Sequence, residues 1–298
     1  MCSSDLYFPA PHTPYAAIRK LPGGCTLTYD IRYGISKIER YWRFTLQADE
    51  GLNRVPVNRL AEELRSLLTQ AVHRRLISDV PLGVFLSGGI DSSAILACAT
   101  TNVPNARIKS FTVGFTEPSF DESQYARAAA AQFGTDHNVE MLDLSAAQRL
   151  IPEVLGRLDE PFGDASVLPT FLLSRLTRQH VTVALSGDGG DELFAGYDPF
   201  QALQPAHFYT RLVPRGLHRG LRKLTDLLPI SHKNMSLDFK LRRALTGVSY
   251  PEAMWNPAWF APVEPQKMAE IFHRPISAEE LYSETIDIWE AKIGRAHV

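Results

Sequence analysis

Apolar residues recur with helical spacing between positions 57 and 78, at Val57, Leu60, Leu64, Leu67, Leu68, Val72 and Leu76. This spacing predicts an amphipathic helix over the whole segment. Residues 83–86 instead form a short, continuous apolar run, which predicts a buried strand. The Ala-rich segment that follows, to about Thr101, predicts a second helix. The central part of the chain therefore begins with a helix–strand–helix unit.

The same alternation continues towards position 185. Residues 108–115, 138–142 and 181–185 predict strands, and residues 122–133, 144–158 and 168–178 predict helices between them. Strands that alternate with helices indicate parallel βαβ units, so the predicted fold class is α/β with a doubly wound parallel sheet. In such sheets, ligands bind at the carboxyl ends of the strands.

The segments on either side of this region differ from it. From position 205 the chain is predicted to be helical, and it becomes more basic, with Arg211, Arg215, Arg219, Arg222 and Lys223. We interpret these charges as a solvated helix face. At the other end, residues 26–29 predict a strand after a turn at 22–24, and a polar linker at 47–56 precedes the first long helix.

The predicted strand at 83–86 runs into a glycine-rich loop, Ser87-Gly88-Gly89-Ile90-Asp91-Ser92. Glycines let the backbone approach an anion, and the N–H groups at the start of a helix point towards it. Asp91 could hold a magnesium ion, which prefers carboxylate and phosphate oxygens. A Gly-Gly pair by itself is typical of an ordinary turn, but the whole motif between a strand and a helix predicts nucleotide binding. Its spacing differs from the Lys-containing P-loop and from the dinucleotide fingerprint.

A second glycine-rich loop follows the predicted strand at 181–185 and carries Asp188, Asp191 and Glu192. An ordinary turn with acidic residues at a helix start would have a similar composition. Two acid-bearing loops at the ends of parallel strands can, however, converge on one magnesium–pyrophosphate group. Asp91 and Asp191 are the natural pair for that role.

Together the two loops resemble the signatures of the synthetase domain of glutamine-dependent asparagine synthetases and their relatives, within the ATP pyrophosphatases. The matching segments are residues 87–92 and 185–197. Residues 110–115 and 120–122 resemble the adenine-side strand and its loop, and residues 159–164 resemble a segment that lines the acceptor pocket. Around 159–169 and 231–243 the chain is most similar to amidotransferases associated with exopolysaccharide and exosortase systems.

The resemblance implies that the chain binds ATP and Mg²⁺. It places Leu86 and Val113 near the adenosine, and Ser186 and Gly187 near the nucleotide. It assigns the pyrophosphate to Ser87, Gly88, Gly89, Asp91 and Ser92. It assigns the magnesium ion to Asp91 and Asp191, and catalysis to these two residues together with Asp188.

The implied reaction joins a substrate carboxylate to ammonia. The carboxylate attacks the α-phosphorus of ATP, pyrophosphate leaves, and ammonia converts the acyl-adenylate into an amide. Asp188 stands where asparagine synthetases usually have Glu, so the acceptor is left open between aspartate and another acid. Two alternatives also stay open: a tRNA-modifying ATP pyrophosphatase, and a nucleotide-binding fragment without complete activity.

Composition narrows the class of protein. The 298 residues carry a net charge of −2, which gives no reason to expect nucleic acid or a membrane as a partner. No C-x-x-C pair is present among the three cysteines, so neither a zinc site nor a disulfide framework is indicated. Cys98 is expected to be a buried small apolar residue. We expect a cytoplasmic protein, with homodimerisation left open.

The resemblance divides the chain into three parts. Residues 1–56 are expected to be the end of a glutaminase domain plus the linker, and residues 57–291 the synthetase-type domain. Residues 292–298 and 2–6 resemble translated sequencing-adapter DNA, so we expect a non-native tail at 292–298 and do not assign Cys2 as a glutaminase nucleophile. The catalytic Lys of the family is expected beyond residue 291, because Lys240 lies in an ordinary helical context.

Overall fold

A computed structural model describes residues 7–43, 49–102, 108–225, 227–229, 231, 235–261 and 263–288. The chain forms two compact units. The first comprises Met1–Pro56, Leu158–Gly163 and Pro251–Val298, and the second comprises Val57–Arg157 and Asp164–Tyr250. The expected tail at 292–298 lies outside the described residues.

The second unit is built on a parallel sheet of four strands. These are β3 (Leu82–Phe85), β4 (Lys109–Phe115), β5 (Asp136–Leu142) and β6 (Val183–Leu185), in the spatial order β5-β4-β3-β6. In register, Val84 of β3 lies opposite Ser110 of β4 and opposite Leu185 of β6. The central strands β3 and β4 are largely buried, as expected where helices cover both faces of a parallel sheet.

Nine helices accompany this sheet within the described residues of the second unit. They are α1 (Val57–Leu76), α2 (Ile90–Asn102), α3 (Ser123–Phe133), α4 (Leu144–Leu155), α5 (Val167–Arg178), α6 (Gly190–Phe194), α7 (Asp198–Leu212), α8 (Arg215–Thr225) and α9 (Leu237–Gly247).

Two hydrophobic clusters show how the helices are distributed. Val84 and Leu86 pack with α1, α2 and α3, whereas Val113 and Phe115 pack with α4 and α5. Ile108, directly before β4, belongs to the first cluster, and its odd spacing from Val113 places the two side chains on opposite faces of the strand. The predicted doubly wound α/β fold, with a helical part after residue 205, is therefore confirmed.

The bounds of several elements differ from the sequence prediction by a few residues. The strand predicted at 138–142 begins earlier, at Asp136, because β5 pairs with β4 over its whole length. The helix predicted at 144–158 ends at Leu155, where Gly156 forms the C-cap. The strand predicted at 181–185 is shorter and begins at Val183. Cys98 is buried, as expected.

The first unit contains an antiparallel hairpin near its start. Strand β1 (Cys25–Asp30) pairs with β2 (Ile35–Arg40), which places Leu27 opposite Ile38. The sequence predicted only the first of these strands, because every residue of β2 is exposed and no buried face marks it.

The remaining part of the first unit is helical, and one ion pair joins its distant segments. The helices are α10 (Trp255–Phe260), α11 (Pro265–Phe272), α12 (Ala278–Leu281) and α13 (Ser283–Ile288). Lys20 forms an ion pair with Glu160 and also donates to the Phe8 carbonyl at 2.6 Å. This contact connects the N-terminal segment with residues 158–163. Among the described residues, no helix has the length and apolar character needed to cross a membrane.

Candidate nucleotide site

The two glycine-rich loops of the second unit lie at the same edge of the sheet. Strands β3 and β6 are parallel neighbours, with Val84 opposite Leu185. The loop after β3 and the loop after β6 therefore both begin at the carboxyl edge, where ligands bind in sheets of this kind. The sequence predicted both loops, and the strand order makes them neighbours.

The first loop is held by its two serine hydroxyls. Ser92 Oγ accepts a hydrogen bond from the Ser87 backbone N–H at 3.2 Å, and it lies 3.0 Å from Ser87 Oγ. Ser87 Oγ in turn accepts the N–H of Gly89 at 3.1 Å. Helix α2 begins at Ile90, so the first N–H groups of the helix lack intrahelical acceptors. The loop is thereby closed into a ring at the positive end of a helix.

Gly88 is required by both conformation and space. Its φ of +84° lies in the left-handed region, which favours glycine. A Cβ at this position would lie 2.5 Å from the carbonyl carbon of Tyr125 and 2.6 Å from the Tyr125 Cβ. Helix α3 therefore packs directly against the loop backbone, and a side chain at this position would separate them.

The second loop packs against the first through two of its glycines. A Cβ on Gly187 would lie 2.7 Å from the backbone nitrogen of Ser92 and 3.0 Å from the Cβ of Asp91. A Cβ on Gly190 would lie 2.5 Å from Cγ of Asp91 and 2.8 Å from both of its carboxylate oxygens. Asp91 therefore lies directly under the second loop, an arrangement that only glycines at these two positions permit.

Asp91 and Asp191 lie close enough to influence each other. Burial raises the pKa of the Asp191 carboxyl above its ordinary value, and the negative charges of Asp91 and Glu192 raise it further. Two carboxylates that repel each other at the end of a sheet form a suitable pair for a divalent cation. Within the described residues, no group of three or more His, Cys, Asp or Glu is arranged to hold a metal ion. Two carboxylates are nevertheless enough for Mg²⁺, which usually takes one or two protein ligands together with substrate phosphates and water.

Asp188 is held by a local hydrogen-bonded turn. Its Oδ2 accepts from Ser186 Oγ at 2.8 Å, and its backbone N–H donates to the same hydroxyl at 3.3 Å. Further along the loop, Tyr197 donates to Glu192 at 2.8 Å, so the carboxylate of Glu192 has a protein partner. The structure thus places Asp188 and Ser186 together, on an exposed part of the loop.

The structure does not bring the side chains of Leu86 and Val113 together. Leu86 is buried with the helices on one face of the sheet, and Val113 packs on the opposite face. Their predicted proximity to the adenosine would therefore involve the strand ends rather than one shared apolar pocket.

Two polar residues of the β4 region fix the neighbouring strand end. Both lie in segments that resemble the adenine-side strand and its loop, but neither was predicted to have a role of its own. Thr112 is buried in β4, and its hydroxyl donates to the Leu86 carbonyl just before the first loop. Asp121 accepts from the N–H groups of Phe115 and Ser123, each at 3.1 Å. Burial acts to raise the pKa of Asp121, but these hydrogen bonds outweigh it and hold the pKa below its ordinary value. A β-branched residue with a hydroxyl inside an otherwise apolar strand is the signal that could have identified Thr112.

Lys240 of α9 forms an ion pair close to the end of the second loop. Its ammonium is 3.1 Å from Oδ2 of Asp198, the first residue of α7, which follows the loop directly. About half of each side chain is exposed, and an ion pair of this kind contributes little to stability. This contact accounts for Lys240 without a catalytic role.

The second unit thus combines a parallel α/β sheet with two glycine-rich, acid-bearing loops at one sheet edge. This arrangement is typical of nucleotide-binding proteins. Residues 63–284 match the family model described as asparagine synthase. The chain therefore belongs to the asparagine synthase family.

Similar proteins are known from several organisms. A Mycobacterium bovis protein provisionally named asparagine synthetase (glutamine-hydrolysing) is 34% identical over 234 residues, which are 78% of this chain and 35% of that protein. Asparagine synthetase (glutamine-hydrolysing) 1 of Bacillus subtilis is 31% identical over 235 residues, 75% of this chain and 36% of that protein. The chain thus spans only about a third of the length of these relatives.

Among solved structures, glutamine-dependent NAD⁺ synthetase from Acinetobacter baumannii in complex with ADP is similar with a TM-score of 0.35. The two proteins are 16% identical, and the match covers 88% of this chain and 48% of that one.

Proposed function

We propose that the second unit binds ATP at the two loops and activates a substrate carboxylate as an acyl-adenylate, with release of pyrophosphate. Ammonia then displaces AMP from the acyl-adenylate and forms an amide. The observation that carries this proposal is the packing of Gly187 and Gly190 onto Asp91. It brings the anion-binding loop of β3 and the acidic loop of β6 into one site. Membership of the asparagine synthase family supports the same reaction class.

The first loop would hold the pyrophosphate part of ATP. Its closed ring of Ser87, Gly89 and Ser92 hydrogen bonds keeps the backbone fixed before the nucleotide binds. The N–H groups at the start of α2 would donate to the phosphate oxygens, and the helix dipole favours their negative charge. Because this loop is preorganised, it can stabilise the charge that develops on leaving pyrophosphate without rearranging.

Asp91 and Asp191 are the two residues that would hold Mg²⁺. A bound magnesium ion would neutralise the charge that builds up on the pyrophosphate. Its presence would also remove the repulsion that raises the pKa of Asp191. The raised pKa and the proximity to Asp91 are the structural support for this assignment.

Asp188 would act on the acceptor side of the reaction, either as a base or by orienting ammonia. It projects from the same loop as Asp191, and Ser186 donates to its carboxylate. We propose a carboxylic acid as the acceptor, with aspartate as the first candidate. The shorter side chain of Asp compared with Glu at this position makes a different acid the main competitor. Ammonia would come from glutamine through a glutaminase domain of the full-length protein, with residues 1–56 as its end and residues 57–291 as the synthetase domain.

The proposal is tested by the substitution Asp91→Asn. Pyrophosphate release is measured with ATP, Mg²⁺, ammonia and a panel of carboxylic acids, and Mg²⁺-dependent ATP binding is measured separately by the shift of Tm. We expect the rate of release to fall by about a hundredfold or more, because a metal ligand is lost. The Tm shift caused by MgATP should shrink as well.

Asp79→Asn is the matched control, because Asp79 is an exposed Asp that precedes the same strand at its other end. It should leave both readouts unchanged. Binding of MgATP without release of pyrophosphate in the presence of any of the acids would indicate a nucleotide-binding chain without turnover. Full activity of the Asp91→Asn variant would remove Asp91 from the site.

A further inference from the structure

The segment from the end of α7 through α8 is basic. Residues 207–225 contain five Lys or Arg and no Asp or Glu, although the whole chain carries a net charge of −2. Positive charge is therefore concentrated on one part of a slightly acidic protein. Such asymmetry is typical of a surface that meets a polyanion.

The same segment exposes large apolar side chains. Leu217 and Leu224 of α8 are 58% and 59% exposed, and Leu227, just beyond the helix, is 80% exposed. Phe208 and Leu212 at the end of α7 are also exposed. The exposed basic residues fit the solvated helix face predicted from the sequence, but that prediction does not account for these apolar side chains.

Helix α8 packs against the rest of the second unit through polar side chains and not through its exposed leucines. His218 Nδ1 is hydrogen-bonded to the Tyr209 hydroxyl at 3.1 Å, and its Nε2 to Ser249 Oγ at 3.0 Å. Arg222, one turn further on, donates to the same Ser249 oxygen at 3.3 Å. Because residues 218 and 222 share one side of the helix, the helix is anchored there. Leu217 and Leu224, seven residues apart, share a different side that stays exposed.

Basic residues lie mainly on the opposite side of α8 from this exposed stripe. Arg211, Arg215, Arg219 and Lys223 are all exposed, and three of them lie on α8 itself. A helix with an apolar stripe on one side and Lys and Arg side chains on the other suits the boundary between lipid headgroups and acyl chains. The stripe enters the apolar layer, while the long basic side chains reach anionic headgroups.

We propose that this surface docks onto an anionic membrane surface. We call it the α8 surface; its members are Leu217, Leu224 and Leu227 together with Arg215, Arg219 and Lys223. A nucleic acid fits less well, because phosphate contacts give no role to exposed leucines. A second copy of the chain fits less well too, since pairing two such surfaces would bring like charges together.

The test is co-sedimentation of the full chain with lipid vesicles. Vesicles of phosphatidylcholine with 30% phosphatidylglycerol are compared with vesicles of phosphatidylcholine alone. We expect binding to the anionic vesicles only, and we expect it to weaken as salt is added, because the headgroup attraction is screened. The double substitution Leu217→Glu/Leu224→Glu should lower the partition coefficient by about tenfold or more.

Two matched controls separate this surface from general effects. Leu155→Glu introduces a charge at a leucine of the same 59% exposure on α4 and should leave binding unchanged. Arg215→Glu/Arg219→Glu should reduce binding, whereas Arg59→Glu/Arg65→Glu on α1, with the same change in net charge, should not. The thermal unfolding of every variant is recorded to confirm that it folds.

Three outcomes would overturn the proposal. The first is failure to bind anionic vesicles at low salt. The second is that the Leu217→Glu/Leu224→Glu variant binds anionic vesicles, and a labelled nucleic acid duplex, as well as the wild-type chain does. That result would indicate that binding is purely electrostatic. The third is that the wild-type chain does not bind vesicles and sediments as a dimer in sedimentation velocity, whereas this variant sediments as a monomer. That result would show that two copies of the chain cover the stripe.

Discussion

At the scale of single residues, the site depends on the close approach of charges and on the absence of side chains. Asp91 and Asp191 come from loops 100 positions apart; burial raises the pKa of Asp191, and the charges of Asp91 and Glu192 raise it further. Gly187 and Gly190 make this approach feasible, because a Cβ on either one would collide with Asp91 or Ser92. The sequence predicted the pair of carboxylates but not that glycines of the second loop cover one of them.

The repulsion between the two carboxylates leads to a prediction for Asp191→Asn. Without a bound cation, removing one charge should stabilise the protein at pH 7.5, by up to about 1 kcal/mol for a partly exposed pair. The stabilisation by Mg²⁺ and ATP should fall at the same time, because a ligand for the cation is lost. Thermal unfolding with and without MgATP measures both effects.

The control for this substitution is Asp136→Asn, which neutralises an exposed Asp at the start of β5. It should change neither the unfolding temperature nor the response to MgATP. If Asp191→Asn destabilises the ligand-free protein and keeps the full response to MgATP, Asp191 is a structural residue of its loop rather than a metal ligand.

At the scale of elements, the nucleotide site is a consequence of strand order. Strand β6 follows β5 in the sequence yet pairs with β3, on the other side of the sheet centre. This arrangement places the loop after β6 beside the loop after β3. Helix α3 completes the arrangement by packing its Tyr125 backbone against Gly88. Three elements therefore determine the position of one short loop.

The glycines of the second loop give a paired prediction at this scale. Gly187→Ala should weaken MgATP binding by about tenfold or more, because a methyl group 2.7 Å from the Ser92 nitrogen would push the two loops apart. Gly189→Ala should cost only about 1 kcal/mol of stability from its φ of +90°, since nothing lies within 4 Å of its Cβ position. Isothermal titration with MgATP and chemical denaturation measure the two effects.

Equal binding losses in the two variants would contradict the interpretation that contact between the loops matters. In that case the flexibility of the second loop, rather than its packing on the first, would control nucleotide affinity.

At the scale of the whole molecule, the response to pH reports on histidines held inside the fold. Ser110 is fully buried in β4 and is hydrogen-bonded to Nδ1 of His137 at 2.9 Å. Burial lowers the pKa of His137, and the charge of Arg127 lowers it further. Burial and Arg222 lower the pKa of His218 in the same direction. The folded protein therefore favours the neutral form of both residues.

A lowered histidine pKa makes the unfolded chain bind more protons in acid. The stability should be complete above the ordinary value of 6.5 and should decrease as the pH falls through it. We expect the Tm to drop between pH 7.5 and 5.5. The substitution His137→Gln should make that drop smaller, because one of the titrating groups is removed.

His73→Gln, at an exposed position of α1, is the control and should leave the pH dependence as it is. Scanning calorimetry at several pH values measures both variants. If the drop in Tm is the same with and without His137, the pKa of this residue does not differ between the folded and the unfolded state.

The sequence by itself determined the elements of the second unit and the positions of its two glycine-rich loops. Apolar periodicity predicted the strands and helices of the second unit to within a few residues, and the two glycine-rich motifs, each placed after a strand, predicted the loops and the acids that they carry. These are local properties, because the spacing of apolar side chains and the need for glycine in a turn act over a few residues.

Only the tertiary structure decided which parts meet. The strand order brings Asp91 under Gly190, and the packing of α8 through His218 leaves Leu217 and Leu224 exposed. The sequence predicted a solvated basic face for this segment, and its basic residues are exposed, but it did not predict the exposure of Leu217 and Leu224. Which side of a helix faces the protein depends on contacts between residues far apart in the chain. Local patterns contain no information about those contacts, and the physical reason is that packing is settled by all the elements together.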